Sequence, residues 1–334
     1  NATVRATGAI GTRATRTSPD GRYTLRLPVD SYSATVSAFG LIGEAVSEVL
    51  ITEGATTTLD FALAIAPSFV LSGTVRDQQG VALPGVTVSV RGTPLEPAVT
   101  DDNGQYTFPA VPQGEYDLGA SGGQCFEPAT AHQLIDADVV ADFTLGLRVD
   151  PAGYQCRPAP FEFIEATHLL ANLTSFGAPA TVDLPFSFGY YGGVYDQVSV
   201  AGPGYISFVP DAFADSFNQP IPTPLTPNAA VFAFWDDLWV EPGFAGSVFT
   251  EMVGEAPHRR FVIEWRDVPV QFDTSQLVRF EIVLHETGEI GLVYHTASPS
   301  SLQRGGSAGI GLENETGTIG FQYSNNRAVL DSGL

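Results

Sequence analysis

The chain has 334 residues, enough for two or three domains, with 44% hydrophobic residues and a formal net charge of −22 from 37 acidic and 15 basic residues. Every basic residue is an arginine, which excludes lysine–asparagine isopeptide crosslinks, Schiff-base chemistry and a phosphate-binding-loop lysine. A field this negative repels nucleic acid and anionic membrane surfaces, and no apolar run reaches the roughly 18 residues that a membrane-inserted helix needs.

A repeat organises the first part of the chain. Residues 18–36 read SPDGRYTLRLPVDSYSATV and residues 101–119 read DDNGQYTFPAVPQGEYDLG. Each has an Asp/Asn-Gly turn, a Tyr-Thr strand start, a Pro-led turn and a second Tyr. ATVRATG at 2–8 is answered by VTVSVRG at 86–92, and LDFAL at 59–63 by ADFTL at 141–145. A constant spacing across several segments marks two copies of one module, the first over 1–66 and the second over 67–147.

The second copy is the clearer one. SFVLSGTVRD at 68–77 alternates, Gln79-Gly80 and Pro84-Gly85 turn the chain, and Val86, Val88 and Val90 alternate again. The DDNG at 101–104 is a hairpin signal, because Asn/Asp-Gly supplies the positive φ that tight turns demand. About seven short strands with turns every 8–12 residues predict a small β-sandwich. In the first copy the counterpart of VLSGTVRD is missing. A sandwich without it exposes unpaired backbone, so that strand is expected from an upstream part of a longer parent chain or from a neighbouring molecule.

Residues 148–160 (RVDPAGYQCRPAP) have linker composition, and a different pattern fills 161–334. FEFIEATHLL at 161–170 reads as a strand or a short helical turn. The aromatic, alternating LPFSFGYYGGVYDQVSVAGPGYISFVP at 184–210 is followed by a Pro/Asn-rich loop over 211–230. VFAFWDDLWV, RRFVIEWRDVPV, VRFEIVLHETGEIGLVYHTA and AGIGLENETGTIGFQYS are strands or hairpins. No segment has helical apolar spacing, and LDSGL at 330–334 reads as a turn leading toward one more strand. The predicted fold class is all-β: two small β-sandwiches, the first lacking its opening strand, then a larger β-sandwich of about ten strands.

Cys125 and Cys156 flank the boundary after the second module. A disulfide between them is expected to tie that module to the next region, closing a loop of about 30 residues for roughly 3–4 kcal/mol and implying an oxidising compartment. Free buried thiols are the alternative. Asp236 and Asp237 stand among aromatics in FAFWDDLWV, where carboxylates are costly unless paired or liganded. They are candidate Ca²⁺ ligands together with loop carbonyls; alternatively, a carboxylate there fastens backbone amides, Arg260 or Arg266. The histidines (His132, His168, His258, His285 and His295) form no metal or catalytic spacing, and His285 and His295 are expected to face each other across the ETGE hairpin. Tyr190, Tyr191, Tyr195, Phe213 and Phe217 offer a sugar-stacking platform unless their rings fill the core. Asn1, Asn172 and Asn314 begin N-x-T sequons.

SGTVRDQQGVALPGVTVSVRG followed by TDDNGQYTFPAVPQGEYDLGASG resembles the carboxypeptidase regulatory-like domain, a transthyretin-like β-sandwich. The resemblance runs through Gly73, Val75, Asp77, Pro84, Gly85, Val86, Val88, Thr100, Asp101, Gly104, Tyr106, Gly114 and Tyr116. The first copy matches at Asp20, Gly21, Tyr23, Leu27 and Tyr32, and departs at Asp30, where the pattern has Gly. Tandem copies of this kind are similar to the accessory regions of secreted bacterial subtilisin-like serine peptidases. The segment from LPFSFGYYGG to TIGFQYS resembles β-rich domains attached to such peptidases and, distantly, nidogen-type extracellular modules; it has Pro203-Gly204 where that pattern has Asn-Gly. These resemblances imply a non-catalytic, extracellular or cell-surface module array with no cofactor beyond a structural Ca²⁺. The partners they imply are the remainder of a larger parent chain, neighbouring copies joined by β-strand addition, or a surface polymer or glycan. A filament or surface-layer subunit and a carbohydrate-binding module are the alternatives.

Overall fold

Alternation of apolar and polar residues along short segments, cut by Gly- and Pro-bearing turns, makes the regular elements of the described residues strands. In the computed structural model, which describes residues 1–175, 177–210, 213–295 and 300–330, no helix occurs among the described residues. The architecture is all-β: two small β-sandwich domains followed by a larger β-sandwich. Two compact units divide the chain, Asn1–Gly146 and Leu147–Leu334.

In the first copy, β1 (Thr3–Gly8), β2 (Gly11–Arg16), β3 (Asp30–Ser37) and β4 (Glu44–Ile51) form one antiparallel sheet in the order β2-β1-β3-β4. Its inner face carries Val4, Ala6, Tyr32, Ala34 and Val36, all buried, with Val4 opposite Val36 and Ala6 opposite Ala34. Period-two burial of this kind fixes the register, since a one-residue slip would turn the whole set outward.

The second copy adds β5 (Ser68–Asp77), β6 (Thr87–Val90), β7 (Ala98–Val99), β8 (Gln105–Pro112), β9 (Gly114–Ser121), β10 (Ala129–Ile135), β11 (Val139–Val140) and β12 (Phe143–Leu145). One sheet runs β10-β9-β6-β7; in the other, β5 lies between β8 on one edge and β11 and β12 on the other. β5 is antiparallel to β8 and parallel to β11 and β12. Leu71, Val75, Tyr106, Phe108, Phe143 and Leu145 from this sheet are buried, as are Val86, Val88, Val90, Leu118 and Ala120 from the other. The expected hairpin turn at DDNG forms as read: Gly104 has φ +72°, and Asp101 Oδ1 accepts the amides of Asn103 and Gln105 at 2.9 and 2.8 Å.

The two copies share their fastenings. Tyr32 donates its hydroxyl to Pro28 O at 3.1 Å, and Tyr116 donates to Pro112 O at 2.9 Å. Tyr23 donates to Leu59 O at 2.7 Å, and Tyr106 donates to Ala141 O at 2.5 Å. In the second copy the Tyr106 side chain crosses β5 at Gly73, where a Cβ would stand 2.0 Å from Ala141 O and 2.9 Å from the Tyr106 ring. Only a glycine fits there.

The second unit contains β13 (His168–Leu169), β14 (Ala180–Tyr190), β15 (Gly193–Ala201), β16 (Tyr205–Ser207), β17 (Ala230–Trp235), β18 (Ser247–Val253), β19 (Arg260–Val270), β20 (Asp273–His285), β21 (Ile290–Tyr294), β22 (Gly309–Glu313) and β23 (Gly320–Asn325). They form a sheet β13-β18-β19-β20-β21 and a sheet β14-β15-β16-β17-β22-β23. Between them, Phe280 stacks on Trp265 at 5.1 Å and on Phe234 of the other sheet at 5.6 Å. Trp265 Nε1 donates to Ala201 O and Gly202 O, both at 3.2 Å. FEFIEATHLL yields only the short β13, the rest being unpaired chain. Of LDSGL, 331–334 lie outside the described residues.

Gly73→Ala is expected to destabilise the second module by about 3 kcal/mol, the upper end for overpacking, because the clash is with backbone. Gly189→Ala, where the nearest atom to a Cβ is Gly193 O at 4.0 Å, is the control and should leave the unfolding midpoint nearly unchanged. Denaturant unfolding of the two variants checks this.

Candidate functional site

Asp236 and Asp237 follow directly on β17, beyond its last residue. Asp236 is buried; its Oδ2 accepts the Ser307 hydroxyl at 2.5 Å and its Oδ1 the Asp237 amide at 2.8 Å. Burial raises the Asp236 carboxyl above its ordinary range, while the Ser307 and Asp237 donors oppose that shift. Asp237 is also raised, by burial, against a hydrogen bond from Ser216. Asp236 is thus fastened to a backbone amide, as one of the two sequence readings has it, but Ser307 takes the place given there to an arginine. Arg260 pairs with Glu162 at 2.8 Å and Arg266 with Glu264 at 2.7 Å. Among the described residues no group of three His, Cys, Asp or Glu side chains stands together as a metal cage.

The denser electrostatic site is one that sequence reading missed. Glu251 on β18, Glu264 on β19 and Glu281 on β20 stand on three neighbouring strands, with Glu264 directly opposite Glu281. Above them runs the unpaired stretch 162–167. Its amides are taken up in turn: Ile164 N–H by Glu281 Oε1 at 3.0 Å, Ala166 N–H by Glu264 Oε2 at 2.9 Å and Thr167 N–H by Glu251 Oε2 at 3.2 Å. Carboxylates thereby replace the missing ladder partner for that stretch. Arg266 and Arg279 both donate to Glu264, at 2.7 and 2.8 Å, and stack over Phe249 and Phe163 respectively.

The two buried members of the row are driven in opposite directions. Burial raises Glu264, but its bonds to Arg266, Ala166 N–H and Arg279 outweigh this, and its carboxyl is held below the ordinary range. Glu281 is pushed up to about 8 by burial, with the Ile164 amide, Arg279 and Arg260 opposing and Glu264 adding to the rise. Its Oε2 has no hydrogen-bond partner. A second buried acid, Glu313, is pushed up to about 7 by burial and accepts Thr223 N–H at 2.7 Å. Nothing in local sequence groups these acids, because their distances are set by strand register alone.

The aromatic residues separate. Tyr190 is in the core, its hydroxyl donating to Ala230 O at 2.6 Å. Tyr191 and Tyr195 are half-buried, and Tyr191 donates to Asp150 Oδ2 at 2.5 Å. Phe213 and Phe217 are 79% and 80% exposed. His285 and His295 do not face each other, contrary to the sequence expectation. The hairpin register bonds His285 N–H to Glu289 O and His295 N–H to Arg279 O, and the His295 ring lies 4.9 Å from that of Phe163. Neither cysteine is free: Cys125 and Cys156 are both disulfide-bonded.

The family described as NIDO related matches residues 153–333, and the carboxypeptidase regulatory-like domain matches 1–64 and again 70–147. No curated protein matches the chain. Among solved structures, similarity is found to the Bacillus anthracis TIE protein, with 19% identity and a TM-score of 0.22 over 45% of this chain and 31% of that one. BcpA, the major pilin subunit of Bacillus cereus, is 11% identical with a TM-score of 0.24, over 69% of this chain and 70% of that one. Fervidolysin from Fervidobacterium pennivorans, a keratinolytic enzyme related to subtilisin, is 12% identical with a TM-score of 0.21, over 80% of this chain and 35% of that one. The chain thus spans about a third of the length of the TIE protein and of fervidolysin.

Because Glu281 and Glu313 bind their protons more tightly folded than unfolded, their contribution is fully present below the ordinary value of 4.5. It is lost as the pH rises through about 7 for Glu313 and about 8 for Glu281. Glu286, lowered to about 2 by its bonds to Arg259, acts only on the acid side of 4.5, and burial holds His285 below 6.5. Raising the pH from about 7 to 9 should therefore lower the melting temperature of the wild-type chain. Glu281→Gln, which keeps an acceptor for Ile164 N–H, should flatten that dependence; thermal unfolding at a series of pH values checks it.

Proposed function

The chain belongs to the NIDO-related family, and from that premise we propose that it is a non-catalytic extracellular or cell-surface module array serving as the accessory region of a larger exported protein. The observation that carries this reading is the use to which the buried acids are put. Glu264, Glu281 and Glu313 each close on backbone amides, and Glu264 on arginines as well. Asp236 closes on Ser307 and on its neighbour's amide. Such carboxylates hold loops to sheets instead of facing a reacting group. The tandem regulatory-like domains ahead of the NIDO-related one support a spacer or docking role, and their resemblance to peptidase accessory regions makes a secreted serine peptidase the preferred parent. Fold alone assigns no ligand.

A Cys125–Cys156 bond belongs to the same proposal. It would keep the end of the second module and the start of the next region in covalent register through export into an oxidising compartment. Disulfide mapping of unreduced peptides should recover that pair, and reduction should cost roughly 3–4 kcal/mol of stability.

The proposal is tested on protein from its native source by non-reducing intact mass and peptide sequencing. A covalent mass well above that of 334 residues, with peptides from a peptidase domain, is the expected result. Turnover of peptide, ester or glycoside substrates by the isolated 334-residue chain would overturn the non-catalytic reading.

A further inference from the structure

Beside the turn between β19 and β20, the larger sandwich displays aromatic rings that its core does not use. Residues 237–240 lie along the end of β19: Trp239 N–H donates to Pro269 O at 2.9 Å, Gln271 N–H donates to Asp237 O at 2.6 Å, and Leu238 bridges Val270. Trp239 is thereby fixed next to the turn. The Phe272 ring, on the turn itself, lies 5.5 Å from the indole at 47°, and the Phe244 ring lies 5.4 Å from it at 57°. Phe244 is held by its own amide and that of Ala245, which both donate to Glu241 O, at 3.0 and 2.8 Å. Phe244 is nevertheless 74% exposed and Phe272 37%, so the cluster is ordered without being buried.

The turn is built at a conformational cost. Val270 pairs with Asp273, so Gln271 and Phe272 form a two-residue loop, with φ of +50° and +59°. Two positive φ values in succession are the demand that Asn-Gly meets easily and that a bulky side chain meets only under strain. Phe272 occupies a position that glycine would relax, and what it adds there is its ring. Charge around the rings has one sign. Segments 236–246 and 267–277 contain five carboxylates and no arginine or histidine. Glu241, Asp267 and Asp273 among them are exposed, and Glu241 Oε2 accepts the Trp239 indole N–H at 3.2 Å.

We propose that this surface docks a basic segment of another polypeptide, whose arginine or lysine side chains lie over the rings of Phe244, Trp239 and Phe272 and pair with Glu241 and the acids beside it. A cation over an aromatic face is attracted by the negative π surface of the ring, and a neighbouring carboxylate adds to that attraction. The chain uses this combination within itself: the Arg266 guanidinium stands 4.0 Å over the Phe249 ring while bonding Glu264 at 2.7 Å. A sugar is fitted less well, because rings inclined at 57° and 47° to the indole make no common platform for a pyranose face. A second copy of the chain would bring its own net charge of −22 against an acidic surface. The exposure of Phe244 gives a lone small cation little enclosure, so a segment carrying several charges is the occupant that fits. Docking of this kind deepens, and rests on, the non-catalytic module reading.

The test is calorimetric titration of the 334-residue chain with a peptide of alternating Gly and Arg, and with a Gly-Gln peptide of the same length. Salt of about 0.15 M screens charges that are far apart on the surface. The arginine peptide should bind and the glutamine peptide should not. Phe244→Ala and Phe272→Gly leave every charge in place, and each should weaken binding roughly fivefold. Glu241→Gln should also weaken it, whereas Glu44→Gln, at an exposed acid of β4 in the first module, should leave it nearly unchanged. Glycine suits the φ of Phe272, so the unfolding midpoint of Phe272→Gly should not fall, which separates a lost contact from a lost fold. Equal losses for Glu241→Gln and Glu44→Gln would reduce the binding to bulk charge and overturn the proposal, as would unchanged binding by the aromatic variants or no binding by the wild-type chain. Binding of an uncharged polysaccharide that Phe244→Ala abolishes would overturn it in favour of a sugar surface, and self-association abolished by Phe244→Ala would overturn it in favour of a second copy. None of these readouts measures substrate turnover or the mass of the parent, so failure here is distinguishable from failure of the non-catalytic reading.

Discussion

Pairing of both edges of a middle strand is the constraint on which this chain depends. A chain built from strands alone has no internal means of satisfying its backbone, so each segment needs a neighbour on each side or solvent in its place. β5 meets the demand with three other strands, and the stretches around it become a closed, buried sheet. The stretch 162–167 meets it differently, by lying along a row of carboxylates. One physical requirement, met in two ways, accounts for the closed sandwich and the clasped loop.

The modular part of the fold was legible because its information is local. Gly104 must take a positive φ, Asp101 must bond the amides two and four residues on, and Tyr116 must reach Pro112. Each of these is a short-range demand written in adjacent residues, so its recurrence in the sequence exposes the repeat. The larger sandwich was legible only as a class. Its aromatics announced a thick core, but which ring faces inward depends on strand order, and Tyr190 went to the core while Phe213 and Phe217 remained outside.

The carboxylate row was not legible at all. Glu251, Glu264 and Glu281 lie on three neighbouring strands whose registers set Glu264 opposite Glu281 and Glu251 diagonal to Glu264, and the segment they hold has no pattern of its own. Asp236 and Asp237 drew attention because they are adjacent in sequence among aromatics. A buried carboxylate needs only two good donors, however, and Ser307 supplies one of them from far along the chain. The histidine pairing failed for a related reason: the hairpin register sets His285 against Glu289 and His295 against Arg279.

The row also shows how two neighbouring acids can be buried together. Directly opposed carboxylates repel if both are ionised. Here two arginines and one amide converge on Glu264, and their donors stabilise its charge. Glu281 has one amide and an oxygen without a partner, so its burial favours the neutral acid. The pair therefore behaves as one anion beside one neutral acid, which removes the repulsion without moving either strand. With arginine as the chain's only cationic side-chain type apart from histidine, the fork that reaches a buried carboxylate while stacking on an aromatic ring is the form that positive charge takes there. Arg266 and Arg279 serve Glu264 in this way, whereas Asp236 and Glu313 are buried on hydroxyl and amide donors instead.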